Sequence, residues 1–182
     1  MHNIEALKNV NQVVLSTTYP DDFYEDMLYM GELAKLAFYN GRVVGAICCR
    51  MDISKTPSGE TLRKLYIMTL GCLPPYRRKG IGSRMVQHIM DIVEKDGNYD
   101  SIFLHVQVNN EDAINFCQKL GFVVVEIKQQ YYEETESGDA YLLEKNLRKT
   151  DEKQNKKKGD IYNFNSHTFD TPSDTEEVEE NR

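Results

Sequence analysis

The stretch Leu65-Tyr66-Ile67-Met68-Thr69-Leu70-Gly71-Cys72-Leu73-Pro74-Pro75-Tyr76-Arg77-Arg78-Lys79-Gly80-Ile81-Gly82-Ser83 constrains the fold more than any other part of the chain. An apolar strand pattern runs into Pro74-Pro75, which must end it because neither residue has an N–H to pair. A basic turn with two glycines follows, and then a helix carrying Ile81, Met85, Ile89, Ile92 and Val93 on one face and closed by Lys95-Asp96-Gly97. This is the architecture of an anion site. Glycines let the backbone approach a ligand closely, and the first helical turn offers unpaired N–H groups and the positive end of the dipole. Arg77, Arg78 and Lys79 add charge of the sign a phosphate needs.

The elements around this unit follow from periodicity and turn chemistry. Ile4, Leu7, Val10, Val13 and Val14 recur at helical spacing behind Asn3, a candidate N-cap. A second helix with Phe23, Tyr24, Met27 and Leu28 is expected to be capped by Asp21 and ended by Gly31. Leu33 to Tyr39 and Val43 to Met51 flank Asn40-Gly41, the strongest short signal for a two-residue hairpin, because both positions need positive φ. Ser54 to Thr61 reads as an exposed loop before a third strand at Lys64 to Leu73. Ile102 to Val108 is a strand, Asn110-Glu111 opens a helix with Ala113, Phe116, Cys117 and Leu120 inward and Gly121 as its cap, and Val123 to Ile127 and Tyr141 to Leu143 are the last strands. The order is that of a mixed α/β layer fold.

A chain of 182 residues suits one domain, expected over residues 1–149, with a charged tail over 150–182 too poor in apolar residues to order. Lys156-Lys157-Lys158 in that tail reads as a solvated run rather than an import signal. A net charge of −7 argues against bulk nucleic-acid or acidic-membrane binding, so any phosphate site must be local. No run approaches the ~18 apolar residues of a membrane span, and the amino end lacks a signal-peptide pattern. The expected compartment is the cytoplasm, extending to the nucleus. Cys48, Cys49, Cys72 and Cys117 form no C-x-x-C pair, so buried thiols are expected rather than zinc ligands or disulfides.

Three phosphate-loop patterns can be set against Arg77 to Ser83. The G-x-x-x-x-G-K-[ST] loop fails because Ser83 follows Gly82 with no lysine between them, and G-x-G-x-x-G fails because Met85 stands where its third glycine belongs. What remains is [R/Q]-x-x-G-x-G/A, here Arg77-Arg78-Lys79-Gly80-Ile81-Gly82, between a strand and a helix. It resembles the acetyl-CoA pyrophosphate loop of the GNAT superfamily of N-acetyltransferases. Gly31-Glu32-Leu33-Ala34-Lys35-Leu36-Ala37, Leu65 to Leu73, Pro75-Tyr76-Arg77-Arg78, Leu104-His105-Val106-Gln107, Asn110-Glu111, Ala113-Ile114 and Tyr131-Tyr132 carry the likeness further, to the NatE-like N-α-acetyltransferases. It runs from about Asn3 to about Lys149.

The resemblance implies a GNAT fold, a mixed, mostly antiparallel sheet flanked by helices, with acetyl-CoA in a cleft where the third and fourth strands splay. It implies that Leu70, Cys72 and Leu73 of the third strand, the loop Arg77, Arg78, Lys79, Gly80, Ile81, Gly82 and Ser83, and also Asn110 and Cys117 contact the coenzyme, with no metal. The amine attacks the thioester directly, so no covalent enzyme intermediate is expected. Tyr66 and His105 match the two catalytic positions, where they relay the amine proton. Read alone, they are a strand aromatic and a core histidine. A phenol near pKa ~10 is a poor base at pH 7, whereas imidazole at ~6.5 suits the task, which favours His105 as the acceptor. An α-amino group at ~8 is about 3 kcal/mol cheaper to present neutral than a lysine at ~10.4, so a weak relay suits protein amino termini. Leu15, Thr17, Tyr19, Met68, Tyr131 and Tyr132 match positions that hold the first residues of the acceptor, whose methionine enters an apolar pocket. Implied partners are peptide or nascent-chain amino termini, other acetyltransferase subunits and the ribosome, with no direct nucleic acid and no membrane.

The chain departs from that pattern at four places. Leu15-Ser16-Thr17 replaces Phe-Pro-Val, removing a ring and adding two hydroxyls at the methionine pocket. Cys117 stands where a tyrosine usually lies near the coenzyme sulfur, and a thiol is the weaker donor. Thr135 stands at the position of an apolar contact, within the acidic run Glu133-Glu134-Thr135-Glu136, which either favours cationic peptides or is a solvated turn. The sequence starts within the first helix, so the sheet is expected to lack its first edge strand or the true start lies upstream. Lysine acetylation, or a weakly active auxiliary subunit of a ribosome-associated complex, remain alternatives to amino-terminal acetylation.

Overall fold

Asn3 caps the first helix, α1 (Ile4–Val14), by accepting a hydrogen bond from the Ala6 N–H at 2.9 Å. The computed structural model describes residues 3–15, 17–132 and 138–148; Ser16, the acidic run and the tail from Lys149 lie outside the described residues. Leu7, Val10 and Asn11 face inward from α1, while Val13, expected in the apolar stripe, is 61% exposed. The 3.6-residue period explains the exchange, since positions 7, 10, 11 and 14 share a face and 13 does not.

The second helix, α2, spans Asp21–Met27 behind Pro20, with no side-chain cap. Asp21 instead pairs with Lys8 of α1 at 2.7 Å, while Asp21 and Asp22 place negative charge at the positive end of the helix dipole. Gly31 does not end this helix. It takes φ 54° four residues beyond Met27 and opens a short 3₁₀ turn, Gly31–Leu33.

A six-stranded sheet follows, with β1 (Ala34–Tyr39), β2 (Arg42–Lys55), β3 (Thr61–Cys72), β4 (Ser101–Gln107), β5 (Val123–Lys128) and β6 (Ala140–Asn146) in the order β1-β2-β3-β4-β6-β5. Among the described residues no strand precedes α1, and β1 is one edge of the sheet. The β1–β2 hairpin turns at Asn40 and Gly41 with φ 48° and 74°, as the Asn-Gly signal requires. The expected loop from Ser54 is shorter than read, because β2 and β3 stay paired out to Lys55 and Thr61. Cross-strand pairing extends a hairpin arm through polar residues that show no apolar alternation.

The helices α3 (Ile81–Asp96) and α4 (Glu111–Lys119) cover one face of the sheet, and α1 and α2 the other. Ile67, Met85, Ile89, Ile102, Val106 and Leu143 belong to the first core; Leu7, Val10, Tyr24, Met27, Ala46 and Cys48 form much of the second. Both faces of β2 are therefore buried, which explains its continuous run Val44 to Cys49. The expected glycine caps hold: Gly97 and Gly121 sit at φ 70° and 87° after α3 and α4.

Where α1 crosses β3, the two backbones approach closely. A Cβ on Gly71 would lie 2.2 Å from Val14 Cγ2 and 2.9 Å from Val14 Cβ. Gly71→Ala is expected to destabilise the protein by about 1–3 kcal/mol through overpacking. Urea denaturation checks this, and Val14→Ala in the same background should recover part of the loss.

Candidate active site

The site starts where the sheet comes apart. β3 and β4 run parallel, but they pair only at Lys64–Ser101, Leu65–Ile102 and Tyr66–Phe103. Beyond Tyr66 the strands diverge, and β4 continues on β6 alone. A bulge accompanies the divergence: Cys48 faces Thr69 and Cys49 faces Ile67, leaving Met68 as the extra residue on β3. Bulges bend a strand and increase its twist, here beside the fork.

A cleft of about 530 Å³ fills the opening. Ile67 to Cys72 line one wall and Leu104 to Gln107 the other. One end is closed by the start of α3, where Gly80 at φ 77° precedes the helix and Gly82 brings the backbone against Phe116, 3.3 Å from where a Cβ would stand. The amides of this first turn have no partners within the helix and carry the positive end of its dipole. Together with the unpaired inner edge of β3, this end suits an elongated ligand with phosphates and amide groups.

The three cations of the loop have separate positions. Arg77 donates from Nε to the Cys72 carbonyl at 2.9 Å, tying the loop to the end of β3. Arg78, with φ 60°, pairs through its guanidinium with Asp112 at 3.1 Å. Both line the cleft, as do Gly80, Ile81, Gly82 and Ser83. Lys79 does not; its ammonium lies 5.6 Å from the centre of the Tyr39 ring. Leu73 is also absent from this lining; it borders a separate hollow with Ala6, Val10 and Val13 of α1, and its N–H pairs with Val44 on β2. Leu70, Cys72, Asn110 and Cys117 do line the cleft. Asn110 has a structural role as well, accepting from the Ala113 N–H at 3.1 Å as the cap of α4. Cys72 is half-buried rather than enclosed as expected, while burial pushes the Cys117 thiol up to about 11 and keeps it protonated.

At the fork itself, Tyr66 and His105 come together. Tyr66 is the last residue of β3 paired with β4, and Phe103 and His105 share a face of β4 through the two-residue strand period. The Tyr66 hydroxyl lies 3.3 Å from His105 Nδ1 and 2.9 Å from the Tyr131 hydroxyl. Phe103 stacks on Tyr66 at 4.8 Å, and Tyr131 stacks on His105 at 4.1 Å. Tyr132 donates to the His105 carbonyl at 3.3 Å, and Tyr19 donates to the carbonyl of the bulged Met68 at 3.2 Å. Leu15, Thr17, Tyr19, Met68 and Tyr132 line the cleft on this side. Tyr66 and Tyr131 stand outside the lining set yet join it through His105. Sequence reasoning missed Thr69, Phe116 and Lys119 in the lining and Arg50, whose guanidinium lies 5.5 Å from the Tyr66 ring centre. The pleat pairs Arg50 with Tyr66 across β2 and β3, so a register for the hairpin could have found it.

Burial governs the protonation states. It raises Tyr66 well above the ordinary phenol range and pushes Tyr19 and Tyr132 up to about 12. These three phenols remain neutral donors near pH 7. His105 is lowered from 6.5, first by burial and then by the Lys128 charge, so its imidazole is neutral and basic there. Among the described residues no cluster of His, Cys, Asp or Glu could hold a metal ion. What the site combines is a phosphate-suited helix terminus and a neutral imidazole joined to buried hydroxyls, within reach of one cleft. That combination fits transfer of an activated group from a phosphate-bearing carrier to a nucleophile that must lose a proton.

Residues 3–122 match the model of the Acetyltransferase (GNAT) family, and the chain belongs to that family. It is 58% identical over 149 residues to the probable N-acetyltransferase san of Drosophila melanogaster, covering 82% of this chain and 78% of the relative. With N-alpha-acetyltransferase 50 of Danio rerio it shares 54% identity over 147 residues, 81% of this chain and 84% of the relative. The fold superposes with a TM-score of 0.71 on Arabidopsis thaliana Naa50 in complex with the bisubstrate analogue CoA-Ac-MVNAL, at 44% identity, covering 80% of this chain and 93% of that one.

Because the folded His105 resists protonation, the unfolded chain binds more protons between its folded pKa and 6.5, and this part of the stability is lost as pH falls through that window. Two-dimensional NMR titration of the imidazole is expected to place its midpoint below 6.5.

Proposed function

We propose that this chain is an acetyl-CoA-dependent N-α-acetyltransferase that acetylates peptide amino termini, including those that begin with methionine. The observation that carries the reading is one continuous cleft joining the amides of Gly80 to Ser83 to His105 and Tyr132. The bisubstrate analogue bound to the Arabidopsis protein likewise joins CoA to a peptide, MVNAL, that begins with methionine.

Acetyl-CoA supplies the acyl group, activated as a thioester. The first turn of α3, with Arg77 and Arg78 beside it, holds the pyrophosphate, and the unpaired inner edge of β3 from Ile67 onward pairs with the amides of the pantetheine arm. Tyr19 and Tyr132 hold the peptide backbone near the fork, and Leu15, Thr17 and Met68 surround its first side chain. The acceptor arrives as an ammonium and must lose a proton before it can react. Tyr66 accepts that proton, directly or through a water, while passing its own to Nδ1 of His105. The phenol is too weakly acidic to act as a standing phenolate, so it shuttles the proton and the imidazole stores it.

Incubation with acetyl-CoA and a panel of free-amino peptides tests the reading. Met-starting peptides should be acetylated, and amino-blocked peptides containing lysine should react at least ~10-fold more slowly, since lysine at pKa ~10.4 is far less often neutral than an α-amine at ~8. Tyr66→Phe and His105→Ala should each lower kcat by about 100-fold. A folded protein that acetylates no member of the panel would overturn the assignment, and equal rates on blocked peptides would redirect it to lysines.

A further inference from the structure

We infer that Tyr131 is a positioning residue of the proton relay, acting through both Tyr66 and His105 rather than only through the peptide. This rests on the acetyltransferase reading above. Tyr131 touches each member of the relay in a different way. Its ring lies on the imidazole of His105, with centroids 4.1 Å apart and planes 14° from parallel, and its hydroxyl is 2.9 Å from that of Tyr66. The segment that carries it is itself held. Gln130, at φ 50°, donates its N–H to Asp139 Oδ1 at 2.9 Å, the Tyr132 N–H donates to the Gly138 carbonyl at 2.8 Å, and the Tyr132 ring meets Tyr131 edge-on at 4.9 Å.

The hydroxyls of Tyr131 and Tyr66 and Nδ1 of His105 form a chain of three polar atoms, and only one direction of donation serves the reaction. When Tyr131 donates to Tyr66, Tyr66 is free to donate to Nδ1, and the neutral imidazole carries its own proton on Nε2. The relay is then balanced. An N–H bond of the ammonium breaks as an O–H bond forms on Tyr66, whose original O–H breaks as Nδ1–H forms, leaving a neutral amine and an imidazolium. In the opposite direction Nδ1 already bears the proton, and the relay has no base. Stacking of Tyr131 holds the imidazole plane so that Nδ1 stays toward Tyr66. The other groups facing this pair are Phe103 from β4, Tyr132 after β5, Glu126 and Lys128 from β5, and Arg50 from β2 over the Tyr66 ring.

Tyr131→Phe keeps the ring and removes the hydroxyl, so it separates orientation from stacking. Loss of the donor leaves the Tyr66 hydroxyl free to turn from Nδ1, which withdraws a hydrogen bond from the neutral imidazole and raises its pKa. In Tyr131→Phe the kcat should fall about tenfold with peptide KM changed less than about twofold, and the acid limb of the kcat–pH profile should move to higher pH. NMR titration of His105 in the coenzyme-free protein should show the same upward move without depending on turnover, and thermal unfolding verifies that the variant is folded. Tyr131→Leu should lower kcat further by removing the stack. An unchanged His105 midpoint in Tyr131→Phe, or an effect confined to KM, overturns the proposal. Absence of turnover in the unaltered protein would instead count against the acetyltransferase reading, and the NMR result would still decide the role of Tyr131.

Discussion

Three residue pairs hold β3 to β4, and nearly everything else in the molecule follows from the fact that there are only three. A parallel ladder that continued past Tyr66 would bury the backbone of both strands and close the space between them. Because it stops, the inner edges of two strands that are otherwise interior to the sheet stay unpaired, and buried backbone groups without partners are costly. The divergence therefore makes sense as a place built for a ligand that brings its own amides. The bulge at Met68 belongs to the same feature. It shifts the alternation of β3, so that Leu70 rather than Thr69 continues the core face of Leu65 and Ile67, and it leaves the Met68 carbonyl available to Tyr19.

The fork also sets the chemistry. Tyr66 and Phe103 are the last pair before the strands separate, so His105, two residues on, points from a strand that has already moved away from β3. The gap opens into the cleft yet stays narrow enough for the hydroxyl of Tyr66 to reach Nδ1. Aromatic rings pack around the pair and partly desolvate it, which is why both the phenol and the imidazole are held neutral. Desolvation and the Tyr66–His105 contact come from the same packing. At the other end of the cleft the charge problem is solved differently. Of the three adjacent cations only Arg77 and Arg78 line the cleft, each engaged with a neighbour, and the helix amides present a fixed positive field that needs no flexible side chain.

Of the positions where the chain departs from the pattern it resembles, three lie on the cleft walls. Leu15 and Thr17 line the cleft beside Tyr19, and Cys117 lines the wall formed by α4. Cys117, neutral and nearly enclosed, supplies bulk but only a weak donor. None of the three takes part in the contact between Tyr66 and His105.

Much of this was legible from local signals. Asn40-Gly41 demanded positive φ and formed the hairpin; Pro74-Pro75, Gly80 and Gly97 bounded β3 and α3; the glycine spacing excluded the nucleotide loops and left one phosphate turn. Such features depend on the backbone preferences of a few adjacent residues, which a sequence states directly. Where side chains point was not legible in the same way. Asn11 faces the core while Val13 faces outward; Asp21 pairs with Lys8 instead of capping α2; Lys79 lies on Tyr39, and Leu73 borders a hollow beside α1. Nor could spacing show that Tyr131 would lie on His105 while bonding Tyr66, because these residues sit on separate strands and a turn that meet only when β6 inserts between β4 and β5. Residue types and their order set the elements and the glycine turn that opens α3. Their mutual orientation arose from long-range packing, in which one bulge and a ladder three pairs long decide what faces what.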